Sequence, residues 1–163
     1  MKEQKDRVSV SRTIEAPAAT LFEILVHSAN HPLIDGSGML RAAPFDVVLS
    51  SVGDVFTVEM HNDEMGNYEM ENHVVAYEAE RRIVWEPVLS GASRAEDVAE
   101  IGTRAHVQWG FELTPAGPRM TVVTESFDCS RSPEWLRKAV KGGERWLESM
   151  SVTLEKLDAL ASG

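Results

Sequence analysis

Apolar and polar positions divide the chain into a strand, two short helices, a run of strands and a closing helix. Residues 8–14 alternate, with Val8, Val10 and Ile14 on one face and Ser9, Ser11 and Thr13 on the other. That is the period of a half-buried strand. Arg12 falls on its apolar face and breaks the pattern. Ala16-Pro17 ends the strand, and Pro17 suits a first helical turn, where its missing N–H has no intrahelical partner to lose. Leu21, Phe22, Leu25 and Val26 then recur at helical spacing, and Pro32 predicts a second short helix over 31–34.

Strand-like pieces follow at 39–43, 54–61, 68–77, 83–87, 107–113 and 120–127. The connections carry turn residues: Asp35-Gly36-Ser37-Gly38, the stretch 62–67 with Gly66, Glu80-Arg81-Arg82, and the Pro/Gly stretch 114–118. Residues 89–103 are polar and rich in Ala, Gly and Ser, and predict a long loop or lid.

The last segment differs in kind. Ser132-Pro133-Glu134 predicts a helix start, with a Ser N-cap, Pro at the first position and an acid in the first turn. Leu136, Ala139, Val140, Gly143, Leu147, Met150, Leu154 and Leu157 then form one stripe. The pattern predicts a helix of about 25 residues, roughly 38 Å long. Gly142-Gly143 lies inside it, each glycine costing about 1 kcal/mol against Ala, which points to close packing or a kink.

Consecutive strands joined by short turns favour antiparallel pairing. A curved sheet must cover its apolar face, and the final helix is the large cover at hand. The expected fold class is therefore α+β: a curved antiparallel sheet of about seven strands around a long C-terminal helix, with two short helices after the first strand. Residues 1–163 are expected to form one domain. A sheet bent round one helix encloses a cavity unless large side chains fill it.

Particular runs carry a resemblance at this point. They are the opening Val8-Ser9-Val10-Ser11-Arg12-Thr13-Ile14-Glu15-Ala16-Pro17, Ile34-Asp35-Gly36-Ser37-Gly38, the stretch 75–85 with its Glu80-Arg81-Arg82 turn, Phe111-Glu112-Leu113-Thr114-Pro115, and Thr124-Glu125-Ser126-Phe127-Asp128. In order and spacing the chain resembles the START/Bet v 1-like superfamily (SRPBCC), as a bacterial member of polyketide cyclase/dehydrase type. The resemblance implies a helix-grip fold with an elongated hydrophobic cavity between sheet and C-terminal helix. It also implies that the first and last strands are neighbours. It implies no single chemistry, because the superfamily spans carriers, sensors, cyclases, hydroxylase domains and co-chaperones. The metal-binding Cys and His pattern of its Rieske oxygenase branch is absent from the sequence.

Charge and composition narrow the partners. The 163 residues bear 16 Lys+Arg and 26 Asp+Glu, a formal charge of −10, which argues against a nucleic-acid binder and a polybasic membrane-surface protein. One cysteine, Cys129, makes no internal disulfide and cannot by itself build a thiolate metal site. No apolar run reaches the roughly 18 residues of a membrane span. The charged N-terminus MKEQKDRVSV does not read as a secretory leader, so a cytoplasmic location is expected.

Four groups of residues are candidates for chemistry. Phe56, Tyr68, Met70, Trp85, Trp109, Phe111, Trp146 and Met150 form either a pocket lining or a filled core. His27, His31 and Asp35 repeat at a spacing of four, which on a helix would align them as an acid/base or ligand-orienting pair. In the alternative, Asp35 caps the Gly-rich turn and the histidines are exposed. Arg12 and Glu125 face the cavity side of neighbouring strands and are expected to pair there, with Arg12 able to bind a ligand carboxylate or hydroxyl, or else to snorkel to solvent. His61, Asp63 and Glu64 read as a hairpin tip rather than a metal site.

No metal or cofactor is expected, for the phosphate-loop, nucleophile-elbow and dinucleotide signatures are all missing. The leading expectation is binding of a small hydrophobic or amphipathic ligand, such as a lipid, polyketide or aromatic metabolite, by a monomer or homodimer. A polyketide cyclase, aromatase or dehydratase using His31, Asp35 or Glu125 is the enzymatic alternative. A ligand-gated or co-chaperone-like module is a third.

Overall fold

The computed structural model describes residues 5–90 and 105–163. Seven strands form one antiparallel sheet: β1 (Arg7–Ile14), β2 (Leu40–Ala42), β3 (Val55–Asn62), β4 (Gly66–Glu78), β5 (Arg82–Leu89), β6 (Gln108–Gly117) and β7 (Met120–Asp128). Their order is β1-β7-β6-β5-β4-β3-β2, so the first strand closes against the last. Between β1 and β2 lie α1 (Ala18–Val26), a 3-10 turn (Ser28–Asn30) and α2 (His31–Ile34). The curled sheet wraps around the C-terminal helix, which is the helix-grip fold.

Burial follows the alternation. On β7, Thr121, Val123, Glu125 and Phe127 point inward and are all buried. On β3, Phe56 and Val58 do the same. The core runs from Leu21, Phe22 and Leu25 of α1 through Ile83, Phe111 and Leu113 of the sheet to Leu154 and Leu157 of the final helix. Gly66 ends the β3–β4 hairpin at φ 70°, the left-handed conformation that glycine adopts without strain.

Two expected boundaries move. The turn between β6 and β7 is tighter than 114–118, because Thr114 and Pro115 still pair with Val122 and Thr121 and the reversal starts at Gly117. The closing helix is not continuous. It breaks into α3 (Glu134–Ala139), a 3-10 stretch (Lys141–Trp146) and α4 (Leu147–Ser162). Gly142 and Gly143 take φ of 65° and 105° and kink it there. A Cβ on Gly143 would sit 2.8 Å from a Val8 methyl and 2.9 Å from a Phe127 ring carbon. The glycines therefore let the backbone pass directly over β1 and β7. Ser132 does not cap the helix; Pro133 holds the N-cap position and makes no side-chain bond.

Among the described residues no helix is long and apolar enough to cross a membrane. The expected loop at 89–103 lies, apart from its first two residues, outside the described residues.

Candidate functional site

The strands' inward faces, the turn after α2 and the first half of α4 enclose a cavity of about 240 Å³. Tyr68 and Met70 enter from β4, Trp85 from β5, Trp109 and Phe111 from β6, Glu125 from β7, and Trp146 and Met150 from the helical side. Sheet register accounts for the clustering. Trp85 stands opposite Trp109, Phe111 opposite Glu125, and Met70 opposite Val58. A second hollow of about 230 Å³ shares Tyr68, Met70, Pro87, Trp109 and Trp146 with the first. Leu89 and Ala105 on its rim lie near the two ends of segment 91–104.

The Asp35-Gly36-Ser37-Gly38 turn fixes one wall. The Asp35 carboxylate accepts from the backbone N–H groups of Ser37 and Leu40, each 3.2 Å away, and from the Ser37 hydroxyl at 2.9 Å. Asp35 thus caps its turn while also lining the cavity. Gly36 donates its N–H to the Thr153 hydroxyl at 2.9 Å, and Lys156 donates to the Asp35 carbonyl at 2.9 Å. Both bonds strap the turn to α4. A Cβ on Gly36 would collide with the Ser149 carbonyl oxygen and lie 2.8 Å from the Thr153 nitrogen. Close approach to the helix is what requires glycine here.

His27, His31 and Asp35 do not align. The chain leaves the helical path at His27 (φ −87°, ψ 109°), so the spacing of four loses its meaning. His27 lies at the surface between Glu23 at 3.0 Å and Asp46 at 3.2 Å, and those carboxylates raise its pKa. His31 turns inward and is buried, contrary to the exposed alternative. Its Nε2 lies 2.8 Å from the Leu25 carbonyl oxygen. A carbonyl only accepts, so Nε2 carries the proton and donates. Burial lowers the His31 pKa and keeps the ring neutral. The ring packs against Phe56 at 4.9 Å and Trp85 at 5.3 Å.

The expected pair of Arg12 with Glu125 does not form. Val10, not Arg12, stands opposite Glu125, and Arg12 stands opposite Val123. The Arg12 Nε donates instead to Asp158 of α4 at 2.8 Å, with the guanidinium partly in solvent. A buried guanidinium would lose hydration that one carboxylate does not restore. Arg12 is therefore not among the cavity residues. Phe56 is another correction: it is fully buried, but it fills the core against His31 and Trp85 and lines no part of the cavity.

Glu125 is the unusual group. It is 6 % exposed, between Val10 and Phe111 on neighbouring strands. Its Oε1 has no hydrogen-bond partner among the described residues. Burial first, and the Asp35 charge second, push its pKa well above the ordinary carboxyl value. The Trp146 Nε1 also lacks a partner among the described residues. Burial likewise raises the Tyr68 pKa.

Among the described residues, those that line the cavity include no Lys or Arg. Met60, Asn72, Ser149 and Thr153 line it too and were missed. Alternation from Phe56 reaches Met60, and alternation from Tyr68 reaches Asn72. Nothing along the sequence marks Ser149 or Thr153 as facing the cavity.

Away from the cavity, His61 meets the Asn67 side-chain oxygen at 2.8 Å, and no group of His, Cys, Asp and Glu among the described residues could hold a metal. Cys129 is buried beside Phe127, Val140 and Met150, and burial raises its thiol pKa.

Comparison with known proteins places this geometry. The family model described as activator of Hsp90 ATPase homolog 1-like protein matches residues 15–155. A curated relative, the uncharacterized protein Rv0088 of Mycobacterium tuberculosis, is 28% identical over 145 residues, covering 87% of this chain and 54% of its own length. The chain thus spans about half of that relative. Protein NE0264 of Nitrosomonas europaea superposes with a TM-score of 0.70 at 12% identity, over 99% of this chain and 97% of its own. Norcoclaurine synthase of Thalictrum flavum gives 0.64 at 12% identity, over 99% and 97%. At these identities the likeness to solved structures is one of fold.

Proposed function

The chain belongs to the activator of Hsp90 ATPase homolog 1-like family, within the START/Bet v 1-like superfamily, and on that premise we propose that it binds a small, largely apolar molecule in the cavity between sheet and α4. One observation carries the reading: Trp85, Trp109, Phe111, Trp146 and Met150 line a cavity of about 240 Å³ instead of filling it. A void lined by such side chains forgoes their dispersion contacts, and an apolar guest restores them. The norcoclaurine synthase with the same fold was solved with a transition state analogue, which supports small-molecule binding by this architecture.

Binding is favoured over catalysis by the acid/base groups. An enzyme of cyclase or dehydratase type needs a titratable group and a partner to move protons with. Glu125 is strongly perturbed, but among the described residues no hydrogen-bonded base stands beside it, and the His31 N–H is committed to Leu25.

The test is uptake of a polarity-sensitive naphthalene dye by the purified protein, with Met70→Trp as a filled-cavity control. Dye fluorescence should rise on binding and fall at least about tenfold in apparent affinity for the variant. Failure of the native chain to take up any dye, or equal uptake by the variant, would overturn the reading.

A further inference from the structure

Among the described residues one cavity-lining carboxyl, Glu125, has an oxygen without a hydrogen-bond partner, and it says what the guest's polar end must be. Glu125 lines the cavity, and its Oε1 is buried with no hydrogen-bond partner among the described residues. Its neighbours across the strands are Val10 and Phe111, and along β7 they are Val123 and Phe127. Among the described residues three titratable groups share the cavity wall with it, and none is a lysine or arginine that could hold it ionised. Asp35 brings a like charge from the end of α2. His31 is neutral. Tyr68, on β4, is a phenol held in its protonated form by burial.

From this geometry we infer that the cavity takes an uncharged ligand whose polar end is a hydrogen-bond acceptor, such as a ketone, ester or amide carbonyl, held by the Glu125 carboxyl as donor. The inference rests on the proposed binding function and specifies the class of its ligand. A neutral carboxyl donates one O–H, and a carbonyl oxygen completes it. An anionic amphiphile would be buried beside the Asp35 carboxylate with no lysine or arginine among the described residues of the cavity wall, the costly case for a charge out of water. An ammonium ligand gains less than the two acids suggest. Asp35 already accepts three hydrogen bonds from Ser37 and Leu40. At Glu125 burial outweighs the Asp35 charge as the cause of the retained proton, and a cation would suffer the same burial.

Four probes of nearly one shape test this at pH 7 by equilibrium dialysis: 2-acetylnaphthalene, 2-ethylnaphthalene, 2-naphthoate and 2-(aminomethyl)naphthalene. The ketone should bind about tenfold more tightly than the ethyl compound, a ratio set by one buried hydrogen bond. Naphthoate and the amine should each bind more weakly than the ketone. Glu125→Leu should erase the ketone's advantage and leave the ethyl compound within about twofold, whereas Glu125→Gln, whose amide still donates, should keep much of it.

Tightest binding of the anion or of the amine would overturn the inference. So would a ketone preference that survives Glu125→Leu. If the ethyl compound binds and the ketone has no advantage, ligand binding stands and the inference about Glu125 falls. If neither the probes nor the dye binds, both fall.

Discussion

Two ends of the interior use the same kinds of side chain to opposite effect. At one end His31, Phe56 and Trp85 meet ring against ring at 4.9 to 5.7 Å, and the His31 Nε2 has its hydrogen-bond partner in Leu25. At the other, Trp109, Trp146 and Met150 surround open volume, and the Glu125 Oε1 and Trp146 Nε1 go without partners among the described residues. At the first end Phe56 is ordinary core, and His31 and Trp85 pack on it while also lining the cavity. The second gives up packing and hydrogen bonds that the fold could have made. Unmade interactions of this kind cost stability and persist where the site serves something other than stability.

The largest contrast to break is in packing. Phe56→Ala should destabilise the protein by about 3–5 kcal/mol, the cost of a cavity in a filled core. Met70→Ala, at the cavity wall, should cost about 1 kcal/mol, because the space it vacates adjoins volume that is already open. Urea unfolding of both variants measures the difference, and equal losses would mean that the two ends are packed alike.

Glu125 sharpens the contrast next. Glu125→Met should raise stability by about 1–2 kcal/mol at pH 8, since it removes a buried group with an unmade hydrogen bond. The sign with pH is specific. The folded-state pKa lies above the ordinary value, so the native state binds the extra proton between about 4.5 and that raised value. Stability contributed by this group is present below that window and is lost as pH climbs through it. The variant should lack this loss. His31 acts in the opposite sense: its folded pKa is lowered from 6.5, so stability falls as pH drops through 6.5 toward that lowered value. Denaturant midpoints from pH 4 to 9 separate the two.

Arg12→Met should produce the smallest effect. Its bond to Asp158 is half in solvent, and such a pair contributes under about 1 kcal/mol. Dye uptake should not change, because Arg12 lies outside the cavity wall. A variant that lost dye binding would restore Arg12 to the site.

The sequence was legible where function or structure follows from neighbours along the chain. Pro32 located α2, the alternations located the seven strands, and the inward faces placed Tyr68, Met70, Trp109 and Phe111 toward one side of the sheet. Gly142-Gly143 announced a disturbance in the last helix, though not its cause, which is the Val8 and Phe127 side chains beneath it. The Gly-rich turn was read as a need for backbone freedom. Gly38, at φ 76° with nothing around its Cβ position, fits that account. Gly36 does not, since its reason is the backbone of a helix more than a hundred residues later.

Periodicity, turn chemistry and charge belong to local stretches of chain, so the residues alone determined the α+β order, the sheet, the closing helix and the acidic, low-cysteine character. Whether a large side chain fills space or borders it depends on what arrives opposite, from strands and helices distant in sequence. Tertiary structure therefore decided that Phe56 is core and Trp109 is wall. It also decided that Arg12 answers Asp158, and that Glu125 lies buried with its Oε1 unpartnered among the described residues.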